Sequence, residues 1–403
     1  MPSDILTINQ GSSSLKFAVF EVFGDAQIAL QFRGEIHSLH SAPILRVRDD
    51  FHQIIAQETW SAEESGHEPA FKRLLEWLRQ TRGTGHIAAV GHRVVHGGDR
   101  FTAPMIVDDA ILAALEEYVP LAPLHQPHNL SAISVMRSLT PNVAQVACFD
   151  TSFHSTIPRR IRRFALPAEY DSQGIHRFGF HGLSYEYIAR ELRRIDPQTA
   201  RGQVVVAHLG AGVTLCAMQN GESIDTTTGL TALDGLPMAT RCGAIDPGVL
   251  LYLMRERHFG VKELEDLLYH QSGLLGLSGI SGDMRTLLEN EDNRSVNAVE
   301  YFVFRVAREV AALTSTLRGL DGLVFTAGIG EHAPSVRSWI CGKLAWLGVK
   351  LDEAANARDA ALISVPESRV VVRVIPTDEE RMIAEHTLAA AKQRDLSAQR
   401  LIA

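Results

Sequence analysis

The stretch Asp4–Asp25, DILTINQGSSSLKFAVFEVFGD, sets an apolar run on each side of a turn built from glycine, three serines and a lysine. Gly11 permits a backbone turn that a side chain would strain. Ser12, Ser13 and Ser14 offer hydroxyls and consecutive amide donors, the ingredients of an anion-binding nest, and Lys16 adds a point charge. A Walker A loop would lead into a helix. Here KFAVFEV reads as a strand, so a P-loop NTPase is disfavoured. Taken alone, the segment fits a Ser-rich hairpin at least as well as a phosphate cradle.

The same plan returns about 200 residues later, half a chain away, which points to two similar domains. Gln203–Ser223, QVVVAHLGAGVTLCAMQNGES, is again strand, Gly-containing turn, strand, turn. Both copies are apolar at nearly every strand position, as expected for strands covered on both faces. Helical spacing is read at Pro69–Arg79, at Asp108–Tyr118 and most strongly at Ser295–Leu317, closed by Gly319. That last helix runs into a buried strand, LVFTAGIG. Strands alternating with helices give an α/β protein, with a domain border expected near Asp150–Pro158.

Composition narrows the function. In 403 residues the net charge is −8, with 45% hydrophobic and 21% charged residues. An acidic balance argues against a nucleic-acid surface, which needs clustered Lys and Arg, though it leaves room for one local basic pocket. No apolar run reaches about 18 residues, so no membrane span is expected. The opening MPSDILTINQ lacks a charged leader and apolar core, so no signal peptide is expected either. Cys148, Cys216, Cys242 and Cys341 are scattered and read as thiols of a reducing, cytoplasmic compartment.

Several other turns carry chemistry-bearing residues. GHRVVHGG places Arg93 after a strand, and TRCGAIDPG supplies Arg241; arginines at turns grip carboxylate or phosphate bidentately. Either alone is equally an ordinary ion-pairing arginine. VACFDTSFHSTIP ends a strand on Asp150, where phosphoryl-transfer enzymes place a Mg²⁺ ligand. His181 precedes a helical stretch, and TAGIGEHAP offers Gly328 and Gly330 in a turn that would let backbone approach a nucleotide. His125 and His128 have HxxH spacing without the further ligands of a zinc site. Thr377 and Glu380 form a capping box opening the last helix, which leaves Glu379 free for another task.

Ten motifs in order, NQGSSSLK, GHRVVHGG, PLAPLH, FDTSFH, FGFHG, HLGAG, TRCGAIDP, SGISGDMR, TAGIGEH and TDEE, resemble the acetate kinase family across essentially the whole chain. The resemblance implies two similar ribonuclease H-like domains of the actin, sugar-kinase and Hsp70 class, with an interdomain active-site cleft. Residues 1–150, completed by a C-terminal helix at 385–403, would form the N-terminal domain, and 151–384 the nucleotide-binding and dimerisation domain. The implied reaction is reversible phosphorylation of acetate by ATP, giving acetyl phosphate and ADP, with Mg²⁺ or Mn²⁺, in a homodimer. Propionate or another short carboxylate is the alternative substrate. A weakly active nucleotide-binding regulatory paralogue is the alternative of another class.

Carried over by position, Arg93 and Arg241 hold the carboxylate and the transferring phosphoryl group, His181 stabilises the transition state, and His125 assists. Asn9 and Asp150 arrange the nucleophile and the metal, and Glu379 completes the metal site. Ser12, Ser14, Lys16, His208, Gly210, Gly212, Asp283, Arg285, Gly328 and Gly330 serve the nucleotide; Val95, Leu124, Phe180 and Ala232 line the acyl pocket. The chain departs from the family pattern at Ala211 (usually Asn), at Ala239, Cys242 and Ala244 (Gly, Ser, Asp), at Ala327 and His332 (Gly, Asn), and at Ala232 (commonly Pro).

Overall fold

The structure is a computed structural model that describes residues 3–11, 14–24, 27–61, 63, 65–83 and 87–402, the last eight of these by backbone alone. The chain divides into two compact units, 1–152 with 378–403, and 153–377. The sequence reading put these divisions at 150/151 and 384/385.

The first unit holds β1 (Ser3–Gln10), β2 (Leu15–Phe23), β3 (Gln27–His37), β4 (Ile44–Asp49), β5 (Ile54–Thr59), β6 (Ile87–Val94), β7 (Met105–Ile106) and β8 (Ala144–Phe149). They form one sheet in the order β5-β4-β3-β2-β1-β6-β8-β7. β1, β2 and β3 run antiparallel in succession, and β6 and β8 add in parallel beside β1. Alternate residues of β1 and its neighbours face opposite cores. Leu6, Ile8, Phe17 and Val19 pack with Phe71, Leu74 and Met136 of the helices His67–Arg82 and Gln126–Leu139. Ile5, Ala18, Phe20 and Ala89 pack with Ala384 of the terminal helix Glu379–Ile402. That helix crosses β6 at Gly91, where a Cβ would lie 2.1 Å from Thr387 Oγ1, so only glycine fits there.

The second unit holds β9 (Gln203–Leu209), β10 (Val213–Gln219), β11 (Glu222–Thr226), β12 (Gly322–Thr326) and β13 (Val371–Val374), in the order β11-β10-β9-β12-β13. Three antiparallel strands followed by two parallel ones repeat the β3-β2-β1-β6-β8 plan of the first unit. This is the duplicated ribonuclease H-like α/β fold. One face is covered by the helix Asn293–Leu317 through Phe302, Val306 and Val310, the other by the helix Gly182–Ile195 through Tyr185, Ile188 and Leu192.

Two helix ends differ from the sequence reading. The terminal helix is capped by Asp378, whose Oδ1 accepts from Arg381 N at 3.1 Å, and Thr377 Oγ1 donates instead to Ser184 Oγ at 2.8 Å. Asp competes well with Thr as a cap, and one residue of shift moves Thr377 out of the helix. At the end of Asn293–Leu317 the left-handed residue is Arg318 (φ 63), one position ahead of Gly319.

Candidate active site

In the first unit, parallel strands bring their C-terminal ends to one edge of the sheet, where α/β folds place ligands. β1 ends with Asn9 and Gln10, β6 delivers Arg93, and β8 runs straight into Asp150. Arg93 Nε lies 3.1 Å from both Asp150 oxygens, its Nη2 donates to Oδ2 at 2.6 Å, and its Nη1 donates to Asn9 Oδ1 at 3.2 Å. Glu379, the first residue of the terminal helix, places Oε2 at 3.9 Å from Arg93 Nε. Burial opposes the Arg93 charge, but Asp150 and Glu379 outweigh it and hold the guanidinium firmly protonated. One arginine does not balance these carboxylates. Burial pushes the Glu379 carboxyl up to about 7; Arg93 pulls the other way, and Asp150 and Glu380 add to the rise.

Arg93 lies inside β6, not in a turn beyond a strand as the sequence suggests, and the end of β1 and the residues after β6 share a brace that sequence reasoning missed. Asn129, on the helix Gln126–Leu139, donates from Nδ2 to Gln10 O at 3.1 Å and accepts from Val95 N at 3.1 Å. Gln126 accepts from His96 N at 3.1 Å and donates back to His96 O at 3.0 Å. Both are buried amides in the HQPHNL segment, beside the HxxH histidines that are its visible sequence signal. Val95 is buried just after β6, while Leu124 and His125 lie half-buried in the turn leading into the helix. Gly11 N donates to Ser14 O at 2.8 Å, and Lys16 is exposed on β2 opposite Asn9. Ser12 lies outside the described residues.

The second unit carries the matching turn, where Gly210 N donates to Gly212 O at 3.0 Å. His208 ends its strand buried, with Nδ1 2.9 Å from Ser184 Oγ, and stacks on His181 with ring centroids 4.2 Å apart. His181 sits in a left-handed conformation (φ 58) at the start of the helix Gly182–Ile195, with Nδ1 3.0 Å from Thr214 Oγ1. A Cβ on Gly212 would lie 3.0 Å from the His181 ring, so the glycine makes room for the imidazole. Phe180 is buried, and its carbonyl accepts from His154 Nε2 at 3.0 Å. Arg241 Nη1 donates to Ala232 O at 3.1 Å, which ties the arginine to the stretch holding that acyl-pocket candidate.

A cavity of about 460 Å³ lies beside this turn. Gly210, Asp283, Arg285 and Gly328 line it together with Ala211, Ala239, His332 and the apolar Met284, Leu288 and Ile329. His208, Gly212 and Gly330 are not in its lining. Asp283 caps the helix Met284–Leu288, accepting from Thr286 N at 2.9 Å, and that backbone bond holds its carboxyl below the usual range. The residues Gly328 and Gly330 belong to the short helix Ala327–His332 and not to an open turn; its first residue, Ala327, takes the positive φ of 64 where glycine would be unstrained.

Among the described residues no three His, Cys, Asp or Glu side chains converge as a metal cluster. Asp150 and Glu379 with the Asn9 amide oxygen around Arg93 are nevertheless hard oxygen donors of the kind Mg²⁺ takes, with one or two carboxylates and the rest water or phosphate. Burial first, and Asp150 and Glu380 after it, raise the Glu379 carboxyl, and a divalent cation at these oxygens would favour its ionised form.

The chain is similar along its length to proteins of known kind. It is 50% identical over 390 residues to an acetate kinase of Rhodopseudomonas palustris (strain TIE-1), covering 96% of this chain and 98% of that protein. It is 47% identical over 397 residues to an acetate kinase of Nitrobacter hamburgensis, covering 98% of each. Among solved structures, a propionate kinase of Francisella tularensis superposes with a TM-score of 0.89 at 35% identity, covering 96% of this chain and 99% of that one. An acetate kinase of Porphyromonas gingivalis superposes with a TM-score of 0.85 at 33% identity and the same coverage. The family model described as the acetokinase family matches residues 4–385, and with the duplicated fold and the Arg93–Asp150 edge already in place, the chain belongs to that family.

Proposed function

We propose that this chain is an acetate kinase, transferring the γ-phosphoryl group of ATP to acetate by direct in-line displacement, reversibly, to give acetyl phosphate and ADP. The observation that carries the reading is the Arg93 guanidinium, oriented by Asp150 and Asn9 at the edge of the first sheet. Acetate is ionised at neutral pH and needs no general base, so catalysis rests on alignment and charge neutralisation. In the first unit, Arg93 grips a carboxylate or phosphoryl oxygen while Asp150 fixes its fork. In the second, Arg241 supplies the other positive charge and His181 donates a hydrogen bond to the transferring oxygens. Mg²⁺ or Mn²⁺, held by Asp150, Glu379 and Asn9, would neutralise phosphate charge when bound. ATP or ADP occupies the cavity of about 460 Å³ beside Gly210 and Gly328, a volume in the usual range of small-ligand sites.

Acetate is the first substrate and propionate the second. Val95 is buried just after β6 and keeps the pocket short, and one methylene is worth only about 1–3 kcal/mol of discrimination. The enzyme acts as a homodimer. The helix Pro247–Glu256 exposes Val249, Leu251, Tyr252 and Met254 around most of its girth, apolar surface suited to a second copy. No helix among the described residues is long and apolar enough to cross a membrane, and the four cysteines are free thiols, which supports a cytoplasmic enzyme.

The test is an assay with ATP, Mg²⁺ and acetate in which hydroxylamine traps the acyl phosphate. Acetate-dependent hydroxamate is expected. ADP release that ignores acetate, or no turnover with any short carboxylate, overturns the reading, and a propionate kcat/KM above the acetate value reverses the substrate order.

A further inference from the structure

Gln10 closes β1 and leads into the first turn. Its buried side-chain amide spends both hydrogens, donating from Nε2 to Gly11 O at 2.7 Å and to His67 Nδ1 at 2.6 Å. Its Oε1 is buried and accepts from no donor among the described residues. The opposite amide orientation would set Oε1 against the Gly11 carbonyl, two acceptors at hydrogen-bond distance. Gly11 therefore fixes the amide, and the amide fixes His67 as the tautomer with a bare Nδ1.

His67 stands in a group of three imidazoles drawn from separate elements. It opens the helix His67–Arg82 and meets His40, from the turn after β3, edge-on with ring centroids 5.5 Å apart. It meets His128, from the helix Gln126–Leu139, at 5.6 Å. On its own helix Glu68 is engaged with Lys72 at 2.7 Å. Burial, then His128, then His40 lower the His67 pKa, and burial and His40 lower that of His128.

We propose that His67 is a positioning residue of the first turn: its neutral imidazole, acting through Gln10, holds the Gly11 carbonyl, and a proton taken up at Nδ1 turns the amide over and releases that carbonyl. In the protonated state Nδ1–H donates to Oε1, Nε2 swings away, and Gly11 O loses its donor. The Gln10–His67 pair is then a proton-sensitive latch on the Gly11 carbonyl. Its kinetic consequence rests on the reading of the first turn as part of the phosphoryl-donor site.

The experiment follows hydrogen exchange at the Gly11 amide, corrected for intrinsic rate, between about pH 7.5 and 4.5, a window that reaches below ordinary imidazole titration because burial, His128 and His40 lower the His67 pKa. Wild type should lose protection at least about threefold on acidification, the size of a modest local opening. His67→Phe, which keeps an aromatic ring but has no nitrogen, and Gln10→Met, which keeps shape but has no amide, should show no such change. An equal loss in His67→Phe, or none in wild type, overturns the latch; if His67→Phe does not fold, Gln10→Met decides alone. In parallel, the KM for ATP in wild type should rise on acidification more than kcat falls, and in the variants it should stay level. Exchange that behaves as stated in a protein with no carboxylate kinase activity leaves the latch standing and removes the functional reading. Level exchange in an active kinase does the reverse.

Discussion

Arg93 closes a fork on Asp150, with Nε 3.1 Å from Oδ1 and Nη2 2.6 Å from Oδ2, so the guanidinium plane is fixed before any substrate arrives. A fixed fork is what bidentate recognition of a carboxylate or phosphoryl group requires, and an ammonium does not supply it.

Arg93→Lys should therefore lower kcat at least about 100-fold although the charge is kept, since one positioned arginine contributes about 10³–10⁵ in related phosphoryl transfers. Lysine is the informative substitution here. Alanine would leave the buried Asp150 carboxylate unpaired, at a stability cost of about 3–5 kcal/mol. Arg241→Ala, where the guanidinium donates to the Ala232 carbonyl, should cost a similar factor in a folded protein. Steady-state kinetics beside a thermal melt check both, and a rate near wild type in either variant removes that arginine from the mechanism.

Glu379 offers a prediction of opposite sign for stability and activity. Its carboxyl is raised to about 7 from the ordinary 4.5, so the folded protein binds this proton more tightly than the unfolded chain. Stability is then lost as pH rises from 4.5 towards 7, where the unfolded chain ionises and the folded one resists. Glu379→Gln should stabilise the metal-free protein at about pH 7.5 by about 1–3 kcal/mol, the free energy of a shift of this size. The same variant should be a poor kinase if Glu379 holds the metal as proposed, because that carboxylate is gone. Denaturant unfolding with and without Mg²⁺ reads the first effect, and turnover reads the second. A destabilised metal-free variant would contradict the raised, burial-dominated Glu379 carboxyl.

How much of this was legible in the sequence follows from where the residues sit. Asn9, Arg93 and Asp150 stand at or just beyond the ends of three apolar runs, and parallel β1, β6 and β8 bring those ends together by topology alone. The twin turns were legible because β1-β2 and β9-β10 repeat one hairpin. Gln126 and Asn129 left no such trace. Polar amides in the first turn of a helix carry no period, and their partners Val95, His96 and Gln10 are distant in sequence. The contact of Gln10 with His67 is hidden for the same reason, since 57 residues separate its ends.

Two further histidines make the protein sensitive to acid. His92 and His154 are buried and neutral, each with its pKa lowered to about 4 chiefly by burial. His154 donates from Nε2 to Phe180 O and accepts at Nδ1 from Ser223 Oγ, so a second ring proton would force the Ser223 hydroxyl to turn and would bury a charge. His92 Nδ1 is buried and without a partner among the described residues, so protonation there has no acceptor. As pH falls below 6.5 the unfolded chain takes up both protons and the folded one does not until about 4, so stability is lost across that window. At about pH 5 each histidine should cost about 2 kcal/mol relative to neutral pH. Urea unfolding of wild type and of the His92→Gln/His154→Gln pair at the two pH values isolates the effect from Glu379, whose slope runs the other way. Equal pH slopes in the two proteins would contradict it.

Ala211 gives the prediction most particular to this chain. It lines the cavity of about 460 Å³ between Gly210 and Gly212, at the tip of the second turn, and stands where an asparagine is usual in the resembling family. Its backbone carbonyl accepts from Ala239 N at 3.3 Å, so the main chain is held in place while the side chain is a bare methyl. An amide at this position gains a donor that faces the cavity, and a hydrogen bond to a charged phosphate is worth about 1.5–3 kcal/mol. Ala211→Asn should accordingly lower the KM for ATP by about 10- to 100-fold, at the rate of tenfold per 1.4 kcal/mol. The KM for acetate should stay where it is, because the substitution touches only the wall of the cavity proposed for the nucleotide. Initial rates with each substrate varied in turn separate the two, and equilibrium binding of ADP supplies a reading free of chemistry. An unchanged ATP KM with unchanged ADP binding would mean that the second turn does not hold the phosphates, and would move the nucleotide away from Gly210.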